Sequence, residues 1–239
     1  SRCILPSIVL ILLAAPAHRC PAAVRIEEVT DIEPVWSGHR VGFCLLTAAD
    51  RQYVAYYDAQ RRMTVAVREL PAGRWRYKKL DSRVGWDSHN YVTMTLDSLG
   101  YLHVSGNMHC VPLVYFRTRR PYDISTLERI ETMVGTEERR CTYPKFFEGA
   151  AGELIFTYRD GGSGNGNQIY NVYDAHNKRW RRLLEPPLTD GKGLMNAYIV
   201  GPVRGPDGYF HVCWVWRDTP DCCTNHDLSY ARSKDMVHW

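Results

Sequence analysis

Apolar and polar positions alternate along this chain in runs of four to seven residues, and the runs come in pairs around a Gly-containing turn. Residues 91–96 and 101–105 flank a turn ending at Gly100. Residues 144–147 and 153–158 flank one ending at Gly152, and residues 198–203 and 209–214 flank one ending at Gly208. A first copy begins near Gly42 and carries residues 52–57. Each copy adds a further apolar run, such as residues 63–67, 168–173 and 227–231, and Trp75, Trp180 and Trp239 close three of them. Period-2 alternation predicts half-buried strands. The turn glycines lie 52 and 56 residues apart, a spacing that suits stacked sheets of about four strands each.

The expected fold is therefore all-β, a β-propeller with about four blades present. A sandwich does not need this repeat. Composition agrees: 15 Tyr, 7 Trp, 18 Gly and 13 Pro favour strands and turns, and no heptad stretch supports a helical bundle. With 45% hydrophobic and 23% charged residues, a packed core is expected and wholesale disorder is not. Four blades is small for a closed ring, and a chain that opens on Ser1 and stops at Trp239 reads as part of a larger propeller.

Residues 3–15 are apolar apart from Pro6 and Ser7, and small-residue cleavage options follow at Ala15-Pro16-Ala17 and near Ala22-Ala23. The run is too short to span a bilayer comfortably, so residues 1–23 read as a signal peptide and residues 24–239 as the propeller domain. Secreted or periplasmic localisation follows, with no membrane association after cleavage. The formal charge of +4 falls to +2 without Arg2 and Arg19, too little to argue for nucleic acid. Six cysteines remain after Cys3 and Cys20 leave; their irregular spacing does not define a pairing.

Hairpin geometry places residues just before the first strand of a blade beside residues just after its second. That sets His89 beside His109, Tyr143 beside Arg159, and Asn196 and Tyr198 beside Arg217, all on one rim. The chemistry of such a set is proton abstraction next to a carboxylate, the opening step of β-elimination from a uronic acid. A cation stabilises the enediolate-like charge, and a phenol acts as base if a neighbouring cation favours phenolate. Asp87, Asp160 and Asp218 sit nearby, but each is expected to orient or pair with a neighbour, so a glycosidase carboxylate pair is not evident. No nucleophile elbow is present.

Ser88-His-Asn-Tyr91, Gly106-Asn-Met-His109, Tyr143-Pro144, Phe156-Thr-Tyr-Arg-Asp160 and the run from Thr224 to Ser233 together resemble the BNR-repeat propellers that include the ulvan lyases. The resemblance runs from about residue 36 onward. It implies a seven-bladed ring, of which this chain would be a fragment. It also implies Tyr143 as base and acid, His89 and His109 as assistants in proton transfer or sugar binding, Arg159 on the uronate carboxylate, and Asn90 as helper. Asn196, Tyr198 and Arg217 would bind substrate. The Ser233-Lys-Asp235 motif lacks the following Gly of an Asp-box, which weakens a sialidase-like reading.

The expected partner is thus an acidic, uronate-containing polysaccharide, ulvan-like and sulfated in one form, acted on by a monomer. A non-catalytic propeller binding a glycan or protein through the same mouth is the alternative. No cofactor is required for catalysis. A structural metal is an open reading, with His211, Cys213, Cys222, Cys223 and His226 as a candidate soft-ligand set, against packed thiols or a disulfide.

Overall fold

The computed structural model describes residues 24–38 and 42–239; the expected signal peptide, with Cys3 and Cys20, lies outside the described residues. Residues 24–31 carry no strand, and the fold is built from Ile32–Trp239. No described helix is long and apolar enough to cross a membrane.

Four antiparallel units follow one another. The first is β1 (Cys44–Ala48), β2 (Arg51–Tyr57), β3 (Arg62–Glu69) and β4 (Arg76–Arg83), paired in that order. The second begins with β5 (Val92–Leu96) and β6 (Leu102–Gly106). A short strand β7 (His109–Val111) then leaves it, and β8 (Tyr115–Thr118) and β9 (Leu127–Arg129) complete it. The third is β10 (Cys141–Glu148), β11 (Leu154–Gly162), β12 (Asn165–Asp174) and β13 (Arg179–Arg182). The fourth is β14 (Asn196–Arg204), β15 (Phe210–Arg217) and β16 (Asn225–Ser233). A single parallel bridge, Gly166 to Asn196, ties β12 to β14.

The repeat is visible in its turns. In the last three units the residue three before the turn glycine donates its N–H to the carbonyl just after that glycine. These bonds are Asp97 to Tyr101 at 3.0 Å, Gly149 to Glu153 at 2.8 Å and Gly205 to Tyr209 at 2.8 Å. Gly100, Gly152 and Gly208 take φ of +82°, +83° and +79°, a region that side chains disfavour. That one backbone requirement explains the sequence period.

The middle strands are buried on both faces. Tyr53, Val65, Val104, Tyr115, Phe156 and Ile169 belong to one continuous core spanning the first three units. Each such side chain contributes about 1.5–3 kcal/mol on burial. Trp180, from β13, packs its ring against Tyr115, Phe146, Phe156 and Tyr173. A smaller core gathers Ile155, Tyr170, Phe210 and Met236, with Trp239 against it.

Candidate functional site

The site forms at the open end of the β5–β6 hairpin and the matching end of β10–β11. Asp87 begins it with a local turn, its carboxylate accepting the His89 N–H at 2.9 Å. The same carboxylate accepts Nδ1–H of His89 at 2.5 Å through Oδ1 and Nδ1–H of His109 through Oδ2. The two rings lie 4.2 Å apart, centroid to centroid. Partial burial works to raise the Asp87 carboxyl, but the His89 amide and the two imidazoles outweigh it and hold it below the usual carboxylate range. In a neutral ring the Nδ1–H given to Asp87 leaves Nε2 as the acceptor.

His109 does not continue β6, as simple hairpin geometry predicts. β6 ends at Gly106, Asn107 turns the chain in a left-handed conformation (φ +56°), and His109 pairs with Thr142 of β10. The second unit thereby reaches into the third, which carries His109 toward Tyr143 and Arg159.

Tyr143 also differs from a regular ladder. Arg159 is in register with Thr142, not Tyr143, because the β10–β11 pairing slips between Thr142 and Lys145. Pro144 has no N–H to offer there, and Tyr143 takes φ +60°, a conformation that costs an aromatic residue on the order of 1–3 kcal/mol. Such a bulge re-aims a side chain. The Tyr143 ring ends 5.8 Å from the His89 ring and 5.2 Å from the Arg159 guanidinium.

Arg159 is only 3% exposed, yet no carboxylate holds it. Its Nη2 makes long contacts to Thr142 Oγ1 (3.4 Å) and Cys110 Sγ (3.6 Å), while Nε and Nη1 have no hydrogen-bond partner. It lines a cavity of about 380 Å³ with Tyr91, Tyr143, Lys145, Gln168 and Tyr198. Two cations and no carboxylate face that space. Lys145 and Gln168 were not singled out from sequence. Lys145 follows Tyr143 at a same-face spacing, but Gln168 is found only through its register opposite Arg159.

The phenol of Tyr143 is pushed up by burial; the Arg159 and Arg217 cations pull it down but do not win. Desolvation is the larger effect, so the condition under which the cation would favour a resting phenolate is not met.

Of the other predicted residues, Tyr198 forms a cavity wall and Arg217 lies behind it. The Arg217 guanidinium is 4.1 Å from the Tyr198 ring centroid and donates to Tyr198 Oη (3.0 Å), Ser163 Oγ (3.2 Å) and Asn225 Oδ1 (2.7 Å). Asn90 faces a neighbouring cavity of about 430 Å³, shared with Asp87, Asn107, His109, Arg83 and Arg129. Asn196 departs from its expected role as a substrate contact. It is fully buried, and its side-chain oxygen accepts the Gly164 N–H, so it pins the β11–β12 turn instead.

Asp160 lies away from this set, among Glu137, Arg140 and Arg182, and is raised chiefly by burial. Asp218 is taken by His226 at 3.0 Å. The soft-ligand set does not assemble either. His211 and His226 pair with opposite ends of the β15–β16 ladder, His211 against Arg232 and Trp216 against His226. Five residues of strand separate those rungs, roughly 17 Å. His211 instead bonds Tyr230 and Asp207. The six described cysteines are all free thiols.

This is an all-β protein of repeated antiparallel sheets, with a cationic, phenol-lined cavity formed where three repeats meet and the His89 ring beside its Tyr143 wall. Residues 51–239 match the model of the BNR repeat-containing family, and the chain belongs to that family. Over 60 residues, a quarter of this chain, it is 44% identical to the short isoform of ulvan lyase from Alteromonas sp. (strain LOR), covering 11% of that protein. Over 62 residues it is 46% identical to the long isoform from Pseudoalteromonas sp. (strain PLSV), covering 6% of it. Among solved structures it resembles the polysaccharide lyase Uly1, with a TM-score of 0.66 at 16% identity over 91% of this chain and 57% of that one. A family PL25 ulvan lyase bound to -[GlcA(1-4)Rha3S]- gives 0.62 at 15% over 85% and 54%. The matches thus span about half the length of these solved structures, and the matched stretches span about a tenth or less of the curated relatives.

Proposed function

We propose that this chain is the catalytic part of an exported polysaccharide lyase that cleaves a uronate-containing, ulvan-like glycan by β-elimination. The carrying observation is Arg159: a buried guanidinium with two unpartnered nitrogens, facing a cavity lined by no carboxylate. A buried charge without a counter-ion is costly, and a substrate carboxylate supplies one. The ulvan lyase relatives support the substrate class, and the bound uronate–sulfated rhamnose in one of them matches it.

In this reading Arg159 binds the uronate carboxylate and stabilises the charge that develops on it when the C5 proton leaves. The resemblance gives Tyr143 both proton transfers. Its electrostatics favour a division of labour: a phenol held protonated suits the acid, and an imidazole Nε2, left free by Asp87, suits the base. The base takes the C5 proton, and that electron pair becomes the C4=C5 double bond. The C4–O bond breaks, and Tyr143 delivers its proton to the leaving oxygen. Water is not consumed, which separates this reaction from hydrolysis.

The four units act here as blades of a seven-bladed propeller. The 57% of Uly1 that is covered leaves room for further blades. Exposed Val200 and Val203 in β14 and Leu228 and Tyr230 in β16 suit a sheet with a further neighbour.

The test incubates the protein with ulvan and other polyuronates and follows the ultraviolet absorbance of the new double bond. Tyr143→Phe is expected to lose about 10²–10⁴-fold in turnover while substrate affinity stays within a few-fold. A substrate with an activated leaving group at C4 should rescue Tyr143→Phe and not His89→Ala. Saturated products, or glycan binding without any double bond, would replace the lyase reading with a hydrolase or a binding propeller.

A further inference from the structure

We propose that Asp87, His89 and His109 form a binding site for a divalent transition-metal ion of the zinc type. The binding of the ion does not rest on the lyase reading; its effect on an imidazole base does. One Asp87 oxygen and one ring nitrogen from each histidine lie within 4.8 Å of one another. Two neutral imidazoles and a carboxylate are a donor set that zinc accepts where it keeps a further position open, and one that iron(II) also uses.

The local structure supplies what such a site needs. Asp87 and His89 are fixed by a turn in which Asp87 accepts the His89 N–H (2.9 Å), and the Asp87 carbonyl accepts the Asn90 N–H (3.2 Å). His109 is fixed independently by its pairing with Thr142 of β10. Two backbone segments therefore present the ring nitrogens to one carboxylate without relying on the ion. The side chains of Asp87, His89 and His109 are 35%, 44% and 34% exposed, so a hydrated ion can arrive and shed water in steps. The 430 Å³ cavity beside Asp87 and His109 gives it a route.

Proton inventory gives the site a consequence. Without metal each Nδ1 carries the ring proton and donates it to Asp87, leaving Nε2 as an acceptor. A metal on Nδ1 displaces that proton, which the ring regains at Nε2. Both imidazoles stay neutral and no net proton is released, but their free nitrogens change from acceptors to donors. A metal-loaded site cannot take a proton through either ring, so an ion here would act as a reversible off-switch for the imidazole base.

A second group, Asp221, Cys222 and Cys223, also brings donors together. It consists of three consecutive exposed residues, and Asp221 is already spent on the Cys223 N–H at 2.9 Å. Its thiols would nonetheless compete for soft ions and must be separated in the test.

The experiment is a cobalt(II) titration of the full chain, followed by absorption, in wild type and in a Cys222→Ser, Cys223→Ser double variant. The double variant should bind one cobalt with ligand-field bands and no thiolate charge-transfer band, and zinc should displace it. His109→Gln and His89→Gln in that background should each weaken binding at least about tenfold. Nitrogen-15 spectra of the histidine rings should show the Nδ1–H tautomer convert to Nε2–H on adding zinc, a readout in the unsubstituted protein. Loss of all cobalt binding with the two thiols overturns the proposal. So does cobalt affinity unchanged by both histidine variants, or a ring tautomer that zinc leaves as it was.

Discussion

The β5–β6 hairpin carries a histidine–aspartate set at each end, and the two are opposites. At the turn end His103 is fully buried, with Nε2 on Asp97 Oδ2 at 3.3 Å and Nδ1 on Tyr115 Oη at 2.7 Å. Tyr115 in turn accepts Trp180 Nε1–H at 3.2 Å, and Asp97 also accepts the Leu99 and Tyr101 amides at 2.9 Å. Both ring nitrogens of His103 and both oxygens of Asp97 have a partner inside the protein. At the open end Asp87 grips two half-exposed imidazoles by one nitrogen each, and Arg159 nearby keeps two unpartnered nitrogens. The residue types are the same, so they do not distinguish structure from function. What distinguishes them is whether the list of partners is complete. A closed network rigidifies a core; an incomplete one at a cavity is a request for a ligand.

The largest expected effect breaks the open end. Arg159→Met keeps the volume and removes the cation. Loss of a preorganised charge stabiliser should cost turnover about 10²–10³-fold, while the thermal midpoint holds or rises, because an unpaired buried charge has been replaced by apolar surface. Turnover within tenfold of wild type, measured on folded protein, would show that Arg159 is a structural cation and would erase the contrast.

His103→Ala attacks the sealed end and should do the reverse. It leaves Asp97 buried without its ring partner, a change worth about 3 kcal/mol, or a midpoint lower by roughly 6–12 °C in a domain of this size. Turnover in the assay for the proposed lyase activity, per folded molecule, should be unchanged. A selective loss of turnover would mean the two ends communicate.

Acidification sharpens the same comparison more gently. Burial pushes the His103 imidazole below its ordinary 6.5, despite the opposing pull of Asp97. Between that lowered value and 6.5 the unfolded chain binds more protons than the folded one, so stability present above about pH 6.5 declines as the pH falls. Asp97 and Asp87 are held below the ordinary 3.8 when folded, so their contribution is lost only in stronger acid, as pH drops through their lowered values. Urea unfolding across pH should therefore show two stages, and His103→Ala should lack the first. A single stage below pH 4 in both proteins would assign no titration to the sealed network.

Much of this was legible from residue patterns because it depends on local rules. Period-2 alternation gave the strands, and three glycines in one left-handed turn conformation gave the repeat. Hairpin logic grouped His89, His109, Tyr143 and Arg159, which the fold brings together by another route, through β7 and the bulge at Tyr143. The rest depends on tertiary detail that alternation does not encode. The Tyr143–Pro144 bulge shifts Arg159 by one rung, and β7 changes sheets, a switch that only the partner strand decides. Asn196 reads as a polar group at a strand start, but its burial turns it into a loop anchor. The proposed metal set around His211 failed because strand length separates its members. The direction of the Tyr143 shift needed the burial that outweighs its cationic neighbours.

The smallest expected effect tests how far the open site extends behind its walls. Arg217 does not line the cavity; it lies 4.1 Å from the Tyr198 ring, which does, and its remaining bonds go to Ser163 and Asn225. Arg217→Lys keeps the charge but loses the planar stack and the fork of donors. A cation–π contact of this kind is worth about 1 kcal/mol, so Tyr198 should loosen and KM should rise about fivefold, with kcat within twofold. A fall in kcat of a hundredfold with KM unchanged would place Arg217 against the reacting sugar. The incomplete network would then hold two working guanidiniums, and the line between support and chemistry would run outside Tyr198 rather than along it.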